Sequence, residues 1–252
     1  MPWAPKRVAG PSTRSLREAE GRLEHEEAED HFGKALKIQN QLVKDSNGYI
    51  SFVYDLAELQ GAHGDALLRL GKPADAEKSY RDSLTHLQVV IDKNPDDLSR
   101  QPLLALTHER LGAASRLLGK GGPRGEHCKQ AIQLRGELLQ LENGNLARKM
   151  AYLLALAHGD EQTAAATFLT KVGPEMTKSP VLLMQVARCW ALCASGKAPG
   201  KEKCVRLALD ALRGATRDGY KDAVTLETDL DLVSLREDGA FRELIAEIKE
   251  RK

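Results

Sequence analysis

The feature that most constrains this chain is an internal repeat. Ala28, Phe32 and Leu36 recur 48 positions later as Ala76, Tyr80 and Leu84, and the same offset carries Gly64 and Gly71 to Gly112 and Gly119. Two unrelated residue patterns that share one period mark a reused supersecondary unit. Such a unit cannot bury its apolar face alone, so its neighbours must stack on it.

Each unit reads as two antiparallel helices with a short turn. Over 51–70, Phe52, Leu56, Leu59, Leu67 and Leu70 fall at near-helical spacing. Gly71-Lys72-Pro73 breaks that helix, and Pro73 suits the first turn of the next one, where its missing N–H has no partner to lose. The second helix, about 74–93, carries Ala76, Tyr80, Leu84, Leu87 and Ile91 on one stripe and stops at Asn94-Pro95-Asp96-Asp97. A third unit runs from Arg100 to Leu118 and turns at Gly119-Lys120-Gly121-Gly122-Pro123. That turn reads as about four residues longer than its predecessor, by the glycine-breaker rule, which puts Cys128 and Ile132 in the places of Ala76 and Tyr80. Helices over 145–158 and 161–172 form a fourth unit, with Ala164 and Phe168 repeating the Ala-x-x-x-aromatic spacing. Helices over 180–195 and 201–217 form a fifth. The first unit reads as truncated, with only 13–23 for its leading helix.

Composition agrees with helices. Aromatic residues are only 4% of the chain and Ala and Leu dominate, which favours helical backbone over strands. A formal net charge of +1 leaves no overall field, so neither nucleic acid nor an anionic membrane is implied as a partner. No secretory signal or long uninterrupted apolar run occurs, so the expectation is a soluble, cytoplasmic chain. In that setting Cys128, Cys189, Cys193 and Cys204 are expected to be reduced thiols.

Gly64, Leu67, Gly71, Ala76 and Tyr80 have the spacing of the small-residue and aromatic consensus of the tetratricopeptide repeat (TPR) family, which this chain resembles. The family's repeat usually spans about 34 residues, and here the second helix is extended. The resemblance implies an all-α fold: an α-solenoid of antiparallel helix pairs wound as a TPR-like right-handed superhelix. It also implies a concave groove lined by the first helix of each pair, where the outward positions are Glu58, Asp65, Arg69, Glu109 and Arg116. The family's clamp for a C-terminal carboxylate needs asparagines and lysines on those helices, and neither type occurs over 51–70 or 100–118. The last third of the chain is similar to long-period repeat arrays that follow serine/threonine kinase domains in large bacterial proteins. The carrying residues are Cys189-Trp190-Ala191-Leu192-Cys193, Ala208-Leu209-Asp210-Ala211-Leu212, Gly219-Tyr220-Lys221-Asp222 and 229–236 followed by Phe241.

Catalytic and metal chemistry find little footing. The phosphate loop, catalytic-loop Asp–Asn pair and metal-binding Asp-Phe-Gly of a kinase are missing; His31-Phe32-Gly33 only places Phe32 at the repeat's aromatic position. Neither His25-Glu26 nor His108-Glu109 is followed by the second histidine of a zinc protease helix. Cys189 and Cys193 share a helix face but sit at small, core-facing positions, where a thiol acts as a small hydrophobe. The glycines at 119, 121, 122 and 125 read as a turn, and the acidic run Glu24, Glu26, Glu27, Glu29 and Asp30 as a solvated helix face.

The chain thus divides into a disordered segment over 1–12, TPR-like helical repeats over 13–218, and a turn region with a C-terminal capping helix over 219–252. The expected function is a non-catalytic protein–protein interaction module or scaffold, without metal or cofactor, that holds a peptide or partner helix in its groove. A detached regulatory region associated with a bacterial serine/threonine kinase is the alternative, and such a kinase or another signalling protein is the expected partner.

Overall fold

The computed structural model describes residues 13–250 except 178 and 197–199, and side chains from Glu27 onward other than those of Ala28 and Pro123. The segment over 1–12 lies outside the described residues. All the regular structure described is helical: α1 (Thr13–Asp45), α2 (Ile50–Arg69), α3 (Pro73–Lys93), α4 (Gln101–Leu117), α5 (Gly121–Leu141), α6 (Leu146–His158), α7 (Gln162–Val172), α8 (Pro180–Ser195), α9 (Lys201–Arg217), α10 (Ala223–Thr228) and α11 (Gly239–Glu250), with short 3-10 turns at Leu98–Arg100, Gly173–Met176 and Leu230–Leu235. Among the described residues, no helix is long and apolar enough to cross a membrane. Two compact units divide the chain: one holds α1–α3 with Leu117–Gly119, the other the elements from α4 to α11.

In the first unit, α2 and α3 are drawn together by small residues. A Cβ on Gly64 would stand 2.6 Å from Cδ1 and 2.8 Å from Cζ of Tyr80, so only glycine lets that ring lie on the α2 backbone. Tyr80 is fully buried, and its hydroxyl donates to Asp65 Oδ1 at 2.8 Å. Two serines on α3 donate across the interface, Ser79 Oγ to the Gln60 carbonyl at 2.9 Å and Ser83 Oγ to the Ala57 carbonyl at 2.7 Å. Buried hydroxyls of this size satisfy themselves on a neighbouring backbone only when the helices run close. The separate leading helix expected over 13–23 is not there: α1 is one continuous helix of 33 residues that runs through Gly21 and Gly33, with no proline inside it to stop propagation. It meets α2 through the Phe32 and His63 rings, 5.8 Å apart, and through Gln39 Nε2, which donates to the Phe52 carbonyl.

The second unit corrects the register expected for its first hairpin. Gly71 and Gly119 both adopt left-handed backbone, φ +71° and +69°. The amide after each closes on the same repeat position: Lys72 N–H to the Leu67 carbonyl at 2.9 Å, Lys120 N–H to the Ser115 carbonyl at 2.8 Å. The two turns are therefore equally long, and Gly121 and Gly122 begin α5 instead of lengthening the turn. Cys128, not Ile132, holds the place of Tyr80, and a Cβ on Gly112 would stand 3.1 Å from its Sγ. Glycine breaks a helix only where the backbone needs positive φ, and of that glycine run only Gly119 does.

In α7 the buried positions are Gln162, Ala165, Leu169 and Val172; Ala164 is exposed, and half-buried Phe168 packs edge-on to Tyr152. The expected Ala-x-x-x-aromatic stripe is thus displaced by one residue. Ser179 caps α8 by accepting from Leu182 N–H, and Asn145 caps α6 by accepting from Ala147 and Arg148 N–H. Within the expected turn region, α10 leads into the 3-10 turn, whose Leu232 and Leu235 are fully buried. α11 adds Phe241, Leu244, Ile245 and Ile248 to the same core as α8 and α9.

Gly64→Ala is expected to lower stability by about 1–3 kcal/mol, because overpacking against the Tyr80 ring outweighs the better helix propensity. Gly33→Ala, with nothing within 4 Å of the added methyl, is expected to raise it by about 0.5–1 kcal/mol. Urea melts of the two variants beside the parent check both signs.

Candidate functional site

A cleft of about 230 Å³ opens between α4 and α6 over α5. Its walls are short side chains: Gly112 and Ala113 from α4, Cys128 and Ala131 from α5, Leu154 and Ala155 from α6. Glu109, Arg110, Arg116, Arg124 and His158 stand around them. The helical spacing of Glu109, Gly112, Ala113 and Arg116 explains why one face of α4 supplies both floor and rim.

Most of the rim's charges are committed to structural partners. Arg135 donates from Nε and Nη2 to the two Glu109 oxygens at 2.8 and 3.2 Å, a two-point pair tying α5 to α4. Arg124 donates to Asp160 at 2.9 Å and to the His158 carbonyl at 3.1 Å. His158 Nε2 lies 3.4 Å from Asp231, which the 3-10 turn Leu230–Leu235 carries. Burial raises the Asp231 carboxyl, but the hydrogen bond and charge of His158, with Arg188 and Arg116, outweigh it and hold the group below its ordinary value. Arg116 is exposed and makes no hydrogen bond or ion pair with the described residues.

Of the five residues expected to line a groove, Glu109 and Arg116 share this cleft. Glu58, Asp65 and Arg69 lie on α2 in the first unit. There Glu58 and Arg69 are exposed, whereas Asp65 accepts the Tyr80 hydroxyl. Sequence reasoning missed Cys128, Arg124 and His158 as lining residues. The first two were readable from the 48-residue period once the turn is given its true length, because Arg124 then aligns with Ala76 and Cys128 with Tyr80.

The cysteines are free and buried. Burial pushes the Cys193 thiol up to about 12 and raises those of Cys128, Cys189 and Cys204, which leaves them poor nucleophiles and poor metal ligands at neutral pH. Among the described residues, no group of three or more His, Cys, Asp or Glu is placed to hold a metal ion. A histidine pair crosses α4 and α5: His108 Nδ1 and His127 Nδ1 are 3.1 Å apart, with ring centroids 5.3 Å apart. One nitrogen donates and the other accepts, so the accepting nitrogen carries no proton when the bond forms. Of the acidic run on α1, Glu29 pairs with Lys72 and Asp30 with Lys34.

No protein-family model matches this chain, and a search of curated proteins finds no match either.

Burial, and then the neighbouring His127, lower the His108 pKa from 6.5 to about 4. The unfolded chain therefore takes up a proton that the folded one refuses between those values, and stability falls as pH drops from about 6.5 towards 4. Above 6.5 the contribution is fully present. Urea midpoints at pH 7, 5.5 and 4.5 are expected to decline, with a shallower decline in His108→Gln.

Proposed function

We propose that this chain is a non-catalytic interaction module that binds a protein partner, as a peptide or a helix, in the cleft between α4 and α6. The observation that carries this reading is the cleft itself. Its apolar walls are too short to fill it, and Arg116 stands uncommitted at its edge. Apolar walls with a few placed polar groups make a recognition surface. The pairing of Glu109, Arg124 and His158 with Arg135, Asp160 and Asp231 supports recognition over catalysis, because groups held in such pairs are tied to the scaffold. The net charge of +1 supports a protein partner over nucleic acid. The similarity of the C-terminal stretch to arrays that follow serine/threonine kinase domains makes such a kinase the first partner to test.

Affinity purification of the intact chain from its native extract, beside Arg116→Glu and Arg69→Glu, tests the reading. Arg116→Glu is expected to keep its helicity by circular dichroism and to bind a recovered partner about tenfold more weakly, since it reverses a rim charge. Arg69→Glu is expected to bind as the parent does. Equal loss in both variants, or none in either, moves the binding surface away from the cleft.

A further inference from the structure

The cleft has a template inside the same molecule. In the α2/α3 hairpin the repeat position facing Gly64 is Tyr80, whose ring lies on the glycine and is fully buried. In the α4/α5 hairpin the glycine persists as Gly112, but the facing residue is Cys128 and the residue aligned with Asp65 is Ala113. The glycine that admits a ring is kept, while the ring and its carboxylate acceptor are both gone. Gly112, Ala113 and Cys128 all line the 230 Å³ cleft. An apolar cavity of about 150 Å³ is enough for benzene.

We infer that the cleft is a socket for an aromatic side chain of the partner, which occupies the space that Tyr80 fills in the preceding hairpin. This rests on the reading of the cleft as a partner-binding surface. Ala113 stands at the repeat position where Asp65 accepts the Tyr80 hydroxyl, so a phenol in that pose has lost its acceptor and the socket favours phenylalanine over tyrosine. Arg116, which makes no hydrogen bond or ion pair with the described residues, lines the cleft, while Glu109 is neutralised by Arg135 and Arg124 by Asp160. The ring therefore meets the Arg116 guanidinium, which favours an aromatic face and an adjacent acidic residue. The occupant is a short peptide segment with phenylalanine next to aspartate or glutamate.

The test titrates the intact, isotope-labelled chain with the peptide acetyl-Gly-Asp-Phe-Asp-Gly-amide and follows amide shifts by NMR. Saturable shifts are expected at Gly112, Ala113, Ala131 and Ala155. Replacing the peptide's phenylalanine by alanine is expected to weaken binding about tenfold or more, replacing it by tyrosine to weaken it less, and replacing both aspartates by lysine to weaken it in the parent but not in Arg116→Glu. Cys128→Tyr, which restores the repeat's own residue opposite Gly112, is expected to abolish the shifts. Ala113→Leu narrows the socket from the other wall and gives the same readout should Cys128→Tyr fail to fold. Shifts that are absent from the cleft, that do not depend on the phenylalanine, or that survive a folded socket-filling variant overturn the inference. A native partner that loses binding in Arg116→Glu yet still binds folded Cys128→Tyr overturns the socket alone and leaves the partner-binding reading standing.

Discussion

How closely two helices of a hairpin approach is decided here by what a glycine lets past. At Gly64 the absence of a side chain lets the Tyr80 ring lie directly on the α2 backbone, and the hydroxyls of Ser79 and Ser83 then reach carbonyls of the facing helix. The arrangement is self-consistent. The ring needs the glycine, the serines need the close approach, and the approach excludes water from the ring. The left-handed glycine at 71 delivers the chain into this packing with no residue to spare, and Gly119 repeats it in the next hairpin. Most of the helical stability in such units comes from this kind of tertiary packing rather than from propensity.

Keeping the glycine while changing the residue opposite it converts a packing device into a cleft. Cys128 is smaller than tyrosine, and Ala113 does not replace the carboxylate that holds the Tyr80 hydroxyl. The space is then walled by short side chains of three helices, while ion pairs at Glu109 and Arg124 brace the walls against collapse. The 3-10 turn near the chain's end adds a further brace: Asp231 engages His158, Asp229 engages Arg188, and the Ser234 hydroxyl donates to the Ala191 carbonyl. The proposed binding function thus grows from a change at a repeat position, on walls whose Glu109, Arg124 and His158 are already paired.

Much of this was legible in the sequence. Helix bounds from α2 to α4 and from α6 to α9 fall within a residue or two of those read from periodicity and turn residues, because proline, glycine and asparagine mark those ends by local backbone chemistry. The reading failed where local signals mislead. The glycine run at 119–122 looks like a long turn, but only Gly119 needs the left-handed backbone, and the miscounted turn hid Cys128 as the counterpart of Tyr80. In α1 the repeat pattern points to a separate leading helix, but glycines without positive φ do not end the helix. In α7 the spacing of Ala164 and Phe168 points to one register, while burial follows Gln162, Ala165, Leu169 and Val172. Of the site, charged positions on α4 were readable from helical spacing, but the pairing of Glu109 with Arg135, like that of Asp65 with Tyr80, is a tertiary property that no spacing within one helix reveals.

The α4/α5 hairpin repeats the register of α2/α3 with its aromatic filler removed. A crystal structure of the Cys128→Tyr protein checks that register. The new ring is expected to lie on Gly112 within the cleft, in the pose of Tyr80 on Gly64, with α5 unmoved. A ring turned out to solvent, or an α5 slid along its axis to set Ile132 against Gly112, would contradict it.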